Sequence, residues 1–169
     1  MEKEAYFNSI YKDHKDKIYR ICCFYFQDPE DRNDLFQEVL SNIWKGLDRF
    51  EGRSKMSTWI YRIAVNTSMA FFKQQFKEVD KRNNYNKEIS NEKIDASYEA
   101  EQNKIDELHL AISRLNKMEK AIVSLMLEEV SYKEIADIVG LSENNVRVKI
   151  HRIKIKLKSI LKAESHGNR

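Results

Sequence analysis

Between Val146 and Ala163 the chain places Arg147, Lys149, Arg152, Lys154, Lys156, Lys158 and Lys162, and no Asp or Glu. These positive charges lie along about five helical turns and make a local positive field. No bond-making chemistry follows from such a set. It suits contact with phosphates, and it also arises as a solvated lysine face. The residues before it narrow the choice. Ser131-Tyr132-Lys133-Glu134 has the form of a capping box, the serine hydroxyl capping a helix start while Glu134 reaches back. Ile135, Ala136, Ile138 and Val139 then make one short helix. Gly140 can take the left-handed conformation that ends it, and Leu141 can plug the corner. Ser142 is placed to cap a second helix over 143–161, which buries Val146, Ile150, Ile153, Leu157 and Ile160. Short helix, glycine turn and second helix with a basic exposed face describe a helix-turn-helix. Ala136 is small where the two helices must approach. A helical hairpin without a DNA role is the bland alternative. The basic stretch lies on the helix that would enter the major groove, which favours the phosphate reading.

A second constellation lies near the other end. Asp34, Gln37, Glu38, Ser41, Asn42 and Lys45 recur at three and four, opposite Leu35, Phe36, Val39, Leu40, Ile43, Trp44 and Leu47. A polar face of this kind is usually only solvated. Its helix starts at Asp28-Pro29-Glu30-Asp31, where Asp28 can cap, Pro29 suits the first helical position and the acids suit the positive end. An earlier helix carries Phe7, Ile10, Tyr11, His14, Ile18, Ile21, Cys22 and Tyr25 on one face. Asp48 to Lys55 break the periodicity, and Gly52 permits a bend there. A third helix follows, with Met56, Trp59, Ile60, Ile63, Ala64 and Thr67 on one face. Tyr61, Arg62, Val65, Asn66, Met69 and Lys73 lie on its other side. From about Val79 to Lys104 the apolar pattern collapses into a polar, asparagine-rich run, read as a linker. Order resumes near Ile105, with Leu108, Ala111, Ile112 and Leu115 on one face and Met118, Ile122, Leu125 and Met126 on the next.

Composition sets the class. The 169 residues hold 30 basic and 27 acidic side chains, a formal net charge of +3, with 41% apolar residues, 4 Gly and 1 Pro. Sheets closed by many tight turns need more Gly and Pro, whereas long helices need few. The expectation is an all-α chain of two small helical domains joined by a polar linker. Its parts are residues 1–78, a linker 79–104, a second domain 105–163 and a tail 164–169. No run approaches the roughly 18 apolar residues of a membrane span, and Met1-Glu2-Lys3-Glu4 is no signal peptide. Cys22 and Cys23 are adjacent, and no C-x-x-C is present, which suggests a reduced, cytoplasmic protein. His14, His109, His151 and His166 lack metal-ligand spacing. There is no glycine-rich phosphate loop and no nucleophile elbow, so no catalytic residue, metal or cofactor is expected.

Residues 131–158 resemble region four of bacterial RNA polymerase sigma factors. Asp34-Leu35-Phe36-Gln37-Glu38 resembles their region-two core-binding helix. Phe50-Glu51-Gly52-Arg53, with Thr58-Trp59-Ile60-Tyr61-Arg62-Ile63-Ala64-Val65-Asn66-Thr67, resembles the stretch that reads and opens the −10 element. The match is closest to the extracytoplasmic-function branch, which keeps only regions two and four. The resemblance implies a sigma factor with core RNA polymerase and promoter DNA as partners. It also implies control by an anti-sigma factor, which could be membrane-anchored, with no membrane insertion of the chain itself. Asp34, Leu35, Gln37 and Glu38 would then bind polymerase. Phe50, Arg53, Lys55, Tyr61, Arg62 and Asn66 would meet the −10 strand, where a flipped base needs an apolar wall, polar edges and cations. Ser142, Asn145, Arg147, Val148, Lys149, His151, Arg152 and Lys154 would lie over the −35 element. Trp59 is read as core, from its spacing with Met56, Ile60 and Ile63. Two positions depart from the family pattern. Asn116 stands where a proline is usual, which predicts a less sharply fixed helix start. Val148 replaces a small hydroxyl residue, so a relative's −35 sequence does not transfer.

The competing readings are a helix-turn-helix regulator with a helical sensor domain, an enzyme, and a scaffold or antagonist of polymerase. The first lacks an α/β receiver pattern in 1–80, the second a catalytic set, and the third has no need of a basic recognition helix. Linker length adds an expectation. The 26 residues 79–104 span roughly 30 Å as a coil and about 85–95 Å extended. Promoter elements more than two turns apart are separated by on the order of 70–85 Å. The two halves should therefore sit close in one state and be drawn apart in another.

Overall fold

The computed structural model describes residues 2–82, 108 and 111–167, and within them every side chain except those of residues 75–82 and 163–167. Six long elements organise it: α1 (Glu2–Cys23), α2 (Pro29–Gly46), α3 (Met56–Arg82), α4 (Lys117–Leu127), α5 (Tyr132–Val139) and α6 (Glu143–Gly167), with a 3-10 turn at Leu47–Arg49. No strand occurs among the described residues.

The helix starts follow local chemistry. Asp28 accepts from the backbone N–H groups of Glu30 and Asp31, with Pro29 in the first turn. Ser131 and Glu134 complete a reciprocal capping box at α5. Asn116 does the same with Glu119 at α4, so that start is sharply fixed without a proline. An Asn carbonyl oxygen satisfies two backbone donors there, which a proline could not do. Gly140 closes α5 at φ 71 and ψ 38, a left-handed conformation that costs other residues energy. Glu129 takes the same kind of conformation at the end of α4, φ 59, without a glycine.

Helices α1, α2 and α3 make one unit, and α4, α5 and α6 the other. Ile18, Ile21, Leu35, Val39, Ile43 and Ile60 fill the first; Ile122, Leu125, Ile135 and Val146 fill the second. Each such side chain contributes about 1.5–3 kcal/mol on burial. The units do not stay separate: α3 packs on α4 and α5, and α1 on α4. Their buried apolar residues form one continuous cluster.

Several helical faces differ from the sequence pattern. Tyr61 and Val65, on the supposed outer side of α3, are buried. Trp44, expected in the core, is 39% exposed and packs edge-on against Phe7 beneath the Lys3 ammonium. Leu108 is also exposed. Residues 79–82 of the expected linker continue α3, and α6 runs through Gly167 into the expected tail. The rest of the linker, the restart at Ile105 and His109 lie outside the described residues.

Candidate nucleic-acid and polymerase interfaces

Helix α6 is seated by Val146, Ile150 and Ile153, buried against α4 and α5. Its start is held by Ser142, whose hydroxyl accepts from the Asn145 N–H at 3.3 Å. Arg147, Val148, His151, Arg152 and Lys154 project outward and are exposed, while Lys149 is half-buried. Two cations are already engaged. Arg147 donates to Glu143 at 2.6 Å and lies 5.1 Å from the Tyr132 ring centroid. Lys156 donates to Glu119 at 2.7 Å. Burial pushes the Glu119 carboxyl up, but Lys156 and the Asn116 N–H hold it below the usual range. What remains open is a ridge of cations and hydrogen-bonding edges, with the Val148 methyls exposed among them. Such a ridge can bind phosphates and read base edges.

The second surface belongs to α3 and the loop before it. Phe50 packs against Trp59, ring centroids 5.1 Å apart, and a Cβ on Gly46 would lie 3.1 Å from the Trp59 ring. Trp59, read from its spacing as core, is half-buried at the edge of the core, packed against Phe50 and Gly46. Gly52, at φ 70, turns the loop, and Arg53 pairs with Glu51 at its exposed tip. Asn66 is exposed. The other members face the second unit. Lys55 Nζ donates to Glu134 Oε1 at 2.9 Å, and Arg62 Nη2 donates to the Asp137 carbonyl at 2.9 Å. Lys55, helped by the Ser131 hydroxyl, holds the Glu134 carboxyl below its ordinary range. Tyr61 is 5% exposed, and burial raises its hydroxyl pKa.

The third surface is the outer side of α2. Asp34, Gln37 and Glu38 are exposed on it, while Leu35 is fully buried and anchors that face from beneath. Asn42 ties this helix to α3 through the Thr67 hydroxyl at 3.2 Å. The face is acidic and rigidly backed, which suits a basic partner.

Comparison with known proteins assigns these surfaces to a family. Residues 10–77 match the model of Sigma-70 region 2, and residues 105–157 match that of Sigma-70, region 4. The RNA polymerase sigma factor YlaC of Bacillus subtilis (strain 168) is 30% identical over 136 residues, covering 76% of each chain. The chain belongs to the sigma-70 family. Its relatives include proteins of the extracytoplasmic-function (ECF) branch, such as SigW of Bacillus subtilis (strain 168), 26% identical over 86% of this chain and 83% of that one. Among solved structures, the sigma factor RpoE in complex with the anti-sigma factor NepR from Bartonella quintana superposes with a TM-score of 0.74 at 20% identity. That match covers 92% of this chain and 96% of RpoE.

In this ECF sigma factor the two regions are the two helical units, and the sequence-predicted residues fall on three surfaces. The recognition-helix set lies along one helix and is exposed except for half-buried Lys149, and the α2 set is exposed except for buried Leu35. The α3 set is divided: Asn66 is open, Lys55 and Arg62 are engaged by region 4, and Tyr61 is buried with its ring edge-on to His14. Three residues with marked environments, Arg20, Glu128 and Lys120, escaped the sequence reading, and a fourth, His14, was placed there only on the apolar face of α1. Arg20 makes a bidentate pair with Glu128, Nε to Oε1 at 2.5 Å and Nη2 to Oε2 at 2.8 Å. Lys120 is buried, its ammonium 4.7 Å from the Phe72 ring centroid, and burial lowers its pKa. His14 Nδ1 is buried with no hydrogen-bond partner, and burial lowers its pKa too. The signal for His14 was its place on the apolar face of α1, and that for Lys120 was the stretch Ala121–Leu127, apolar but for Ser124, which surrounds the whole helix rather than one face, so α4 must be covered on all sides. Among the described residues, no group of three or more His, Cys, Asp or Glu could hold a metal, and no helix is long and apolar enough to cross a membrane.

Proposed function

We propose that this chain is an alternative sigma factor that binds core RNA polymerase and directs promoter recognition, DNA opening and transcription initiation. The observation that carries this is the order and chemistry of the two regions: region 2 with an open acidic α2 face, then region 4 with an open basic recognition helix. Asp34, Gln37 and Glu38 bind the polymerase, with Leu35 holding their helix in place. Phe50, Arg53, Lys55, Tyr61, Arg62 and Asn66 meet the −10 strand. Ser142, Asn145, Arg147, Val148, Lys149, His151, Arg152 and Lys154 lie over the −35 element. The domains are 1–78 and 105–163, and the chain between them lets the regions separate on the enzyme.

Its action is recognition and not catalysis, and its place is the cytoplasm, with the polymerase. An anti-sigma factor is a further partner, by analogy with RpoE, which was solved bound to one. Run-off transcription with core polymerase on a promoter library tests the reading. Promoter-specific transcripts should require both core enzyme and this chain. No transcript from any library promoter, or transcripts without core enzyme, would refute it.

A further inference from the structure

Helix α6 carries more apolar surface outward than its own packing requires. Val146, Ile150 and Ile153 are buried on its inner side, whereas Val148 and Ile155 are 42% and 57% exposed on its outer side. Resting on the sigma-factor reading, we propose that Ile155, which lies outside the set assigned to the −35 element, reads a thymine there through its 5-methyl group. Val148 reads a second thymine in the same way.

The two side chains share one stripe of the helix. Ile155 follows Val148 by seven residues, which places them about 20° apart around the axis and about 10 Å apart along it. His151 and Arg152 stand between them on the same side and are exposed as well. Val148, His151, Arg152 and Ile155 therefore fall at i, i+3, i+4 and i+7, the spacing at which the third helix of a homeodomain reads base edges in the major groove. Lys154 lies nearly a third of a turn to one side, toward the phosphates that border such a groove. Base pairs stack about 3.4 Å apart, so the two methyl contacts fall about two or three base pairs from each other.

The chemistry selects thymine. Valine and isoleucine side chains have no donor or acceptor, and among the four bases only thymine offers a methyl group in the major groove. Leu108 and Leu127 are the other exposed large aliphatic side chains among the described residues, so α6 alone pairs two of them on one stripe. The surroundings name the partner. Arg152 and Lys154 are exposed beside the pair, and a protein covering Ile155 would have to set acids against them. Duplex DNA supplies phosphates at both borders of the groove and methyl groups between them.

The test uses the full-length chain assembled with core polymerase. Duplexes are selected from a promoter library randomised at both elements. Each thymine of the selected −35 element is then replaced by deoxyuridine, which lacks only the 5-methyl group, and competition binding gives the thymine-to-uracil affinity ratio at each position. Two positions at the stated spacing should each show a ratio of about four, the worth of one buried methyl. Ile155→Ala should abolish one ratio and keep the other, and Val148→Ala should do the reverse. Both side chains are exposed, so the fold should hold, as read by circular dichroism. Loss of affinity in Ile155→Ala with both ratios kept would overturn the proposal, as would loss of assembly with polymerase, which would assign Ile155 to a protein contact. A selected −35 element with no methyl-sensitive thymine would overturn it too. These outcomes leave the sigma-factor reading intact, because promoters were selected. Failure to select any promoter, with no run-off transcript, is the failure of that reading and takes this inference with it.

Discussion

The two faces proposed to meet nucleic acid in this sigma factor use similar side chains in opposite circumstances. On α6 the apolar side is used by α4 and α5, and the cations lean outward; Arg147 and Lys156 pair with Glu143 and Glu119 of the same unit, and no residue of region 2 engages Arg152 or Lys154. On α3 the helix is apolar around much of its girth: Ile60, Tyr61, Ala64 and Val65 are all buried. A helix of that kind needs cover on more than one side, and region 4 supplies it. The same packing that hides Tyr61 brings acids of region 4 onto Lys55 and the seam. Exposure of a binding face is thus set by how much apolar surface its own helix still has to bury. On the proposed assignment, the −35 surface is exposed in this arrangement, while Lys55 and Arg62 of the −10 surface are held by region 4.

The largest effect that would sharpen this contrast involves neither face. Reversing Asp34 and Glu38 to lysine should weaken core-polymerase binding by several kcal/mol, because attraction to a basic partner becomes repulsion. Competition against the unmodified protein measures it, and helix content should stay constant, since both side chains are exposed. An unchanged affinity would remove polymerase from the α2 face.

On the open face, Arg152→Ala should cost about 1–3 kcal/mol of promoter affinity and relax one −35 position. Lys158→Ala should weaken all sequences alike. Selection from a randomised −35 library separates the two; equal, sequence-independent losses would make Arg152 a phosphate clamp. On the covered face, Asn66→Ala should impair strand opening more than duplex binding, read by permanganate reactivity of promoter thymines. Normal opening would take Asn66 out of the −10 set.

The seam itself responds to pH from both ends. Glu134 has its carboxyl held low by Lys55, so the pair's contribution to closure is present above the ordinary carboxylate range and is lost as pH falls through the lowered value. Lys120 is a base whose pKa closure lowers, so closure binds fewer protons there and tightens as pH rises from that lowered value toward the ordinary one. Lys120→Met keeps the shape and removes the buried charge. It should favour the closed state by about 1 kcal/mol and flatten the alkaline limb, as seen by scattering across a pH series. An unaltered alkaline limb would assign it to another group.

The smallest effect is local to region 4. Glu129→Gly relieves a left-handed conformation and should stabilise by up to about 1 kcal/mol in thermal unfolding. Asn116→Ala should cost about as much, roughly 1 kcal/mol, by removing the α4 cap. Opposite signs at the two ends of one helix make a stringent check on its backbone.

Much of this protein is decided within short stretches of chain. The caps at Asp28 and Ser131, the turn at Gly140 and the basic face of α6 rest on groups a few residues apart, so residue type and spacing suffice to state them. The α2 face is equally local: Asp34, Gln37 and Glu38 share one side of one helix opposite a buried Leu35. Where the expectation failed, a distant neighbour or a backbone preference intervened. Asn116, where the resemblance led to the expectation of a loosely fixed start, forms a reciprocal capping box with Glu119. Trp44 met Phe7 at the surface instead of the core. Arg20 and Glu128, or Lys120 and Phe72, come together only when two separate bundles pack, and no periodicity links residues so far apart. The sequence alone determined that two helical regions exist and what each can touch. Only the tertiary structure decided which of those surfaces is covered, because that depends on how the two apolar circumferences of α3 and α4 are satisfied against each other.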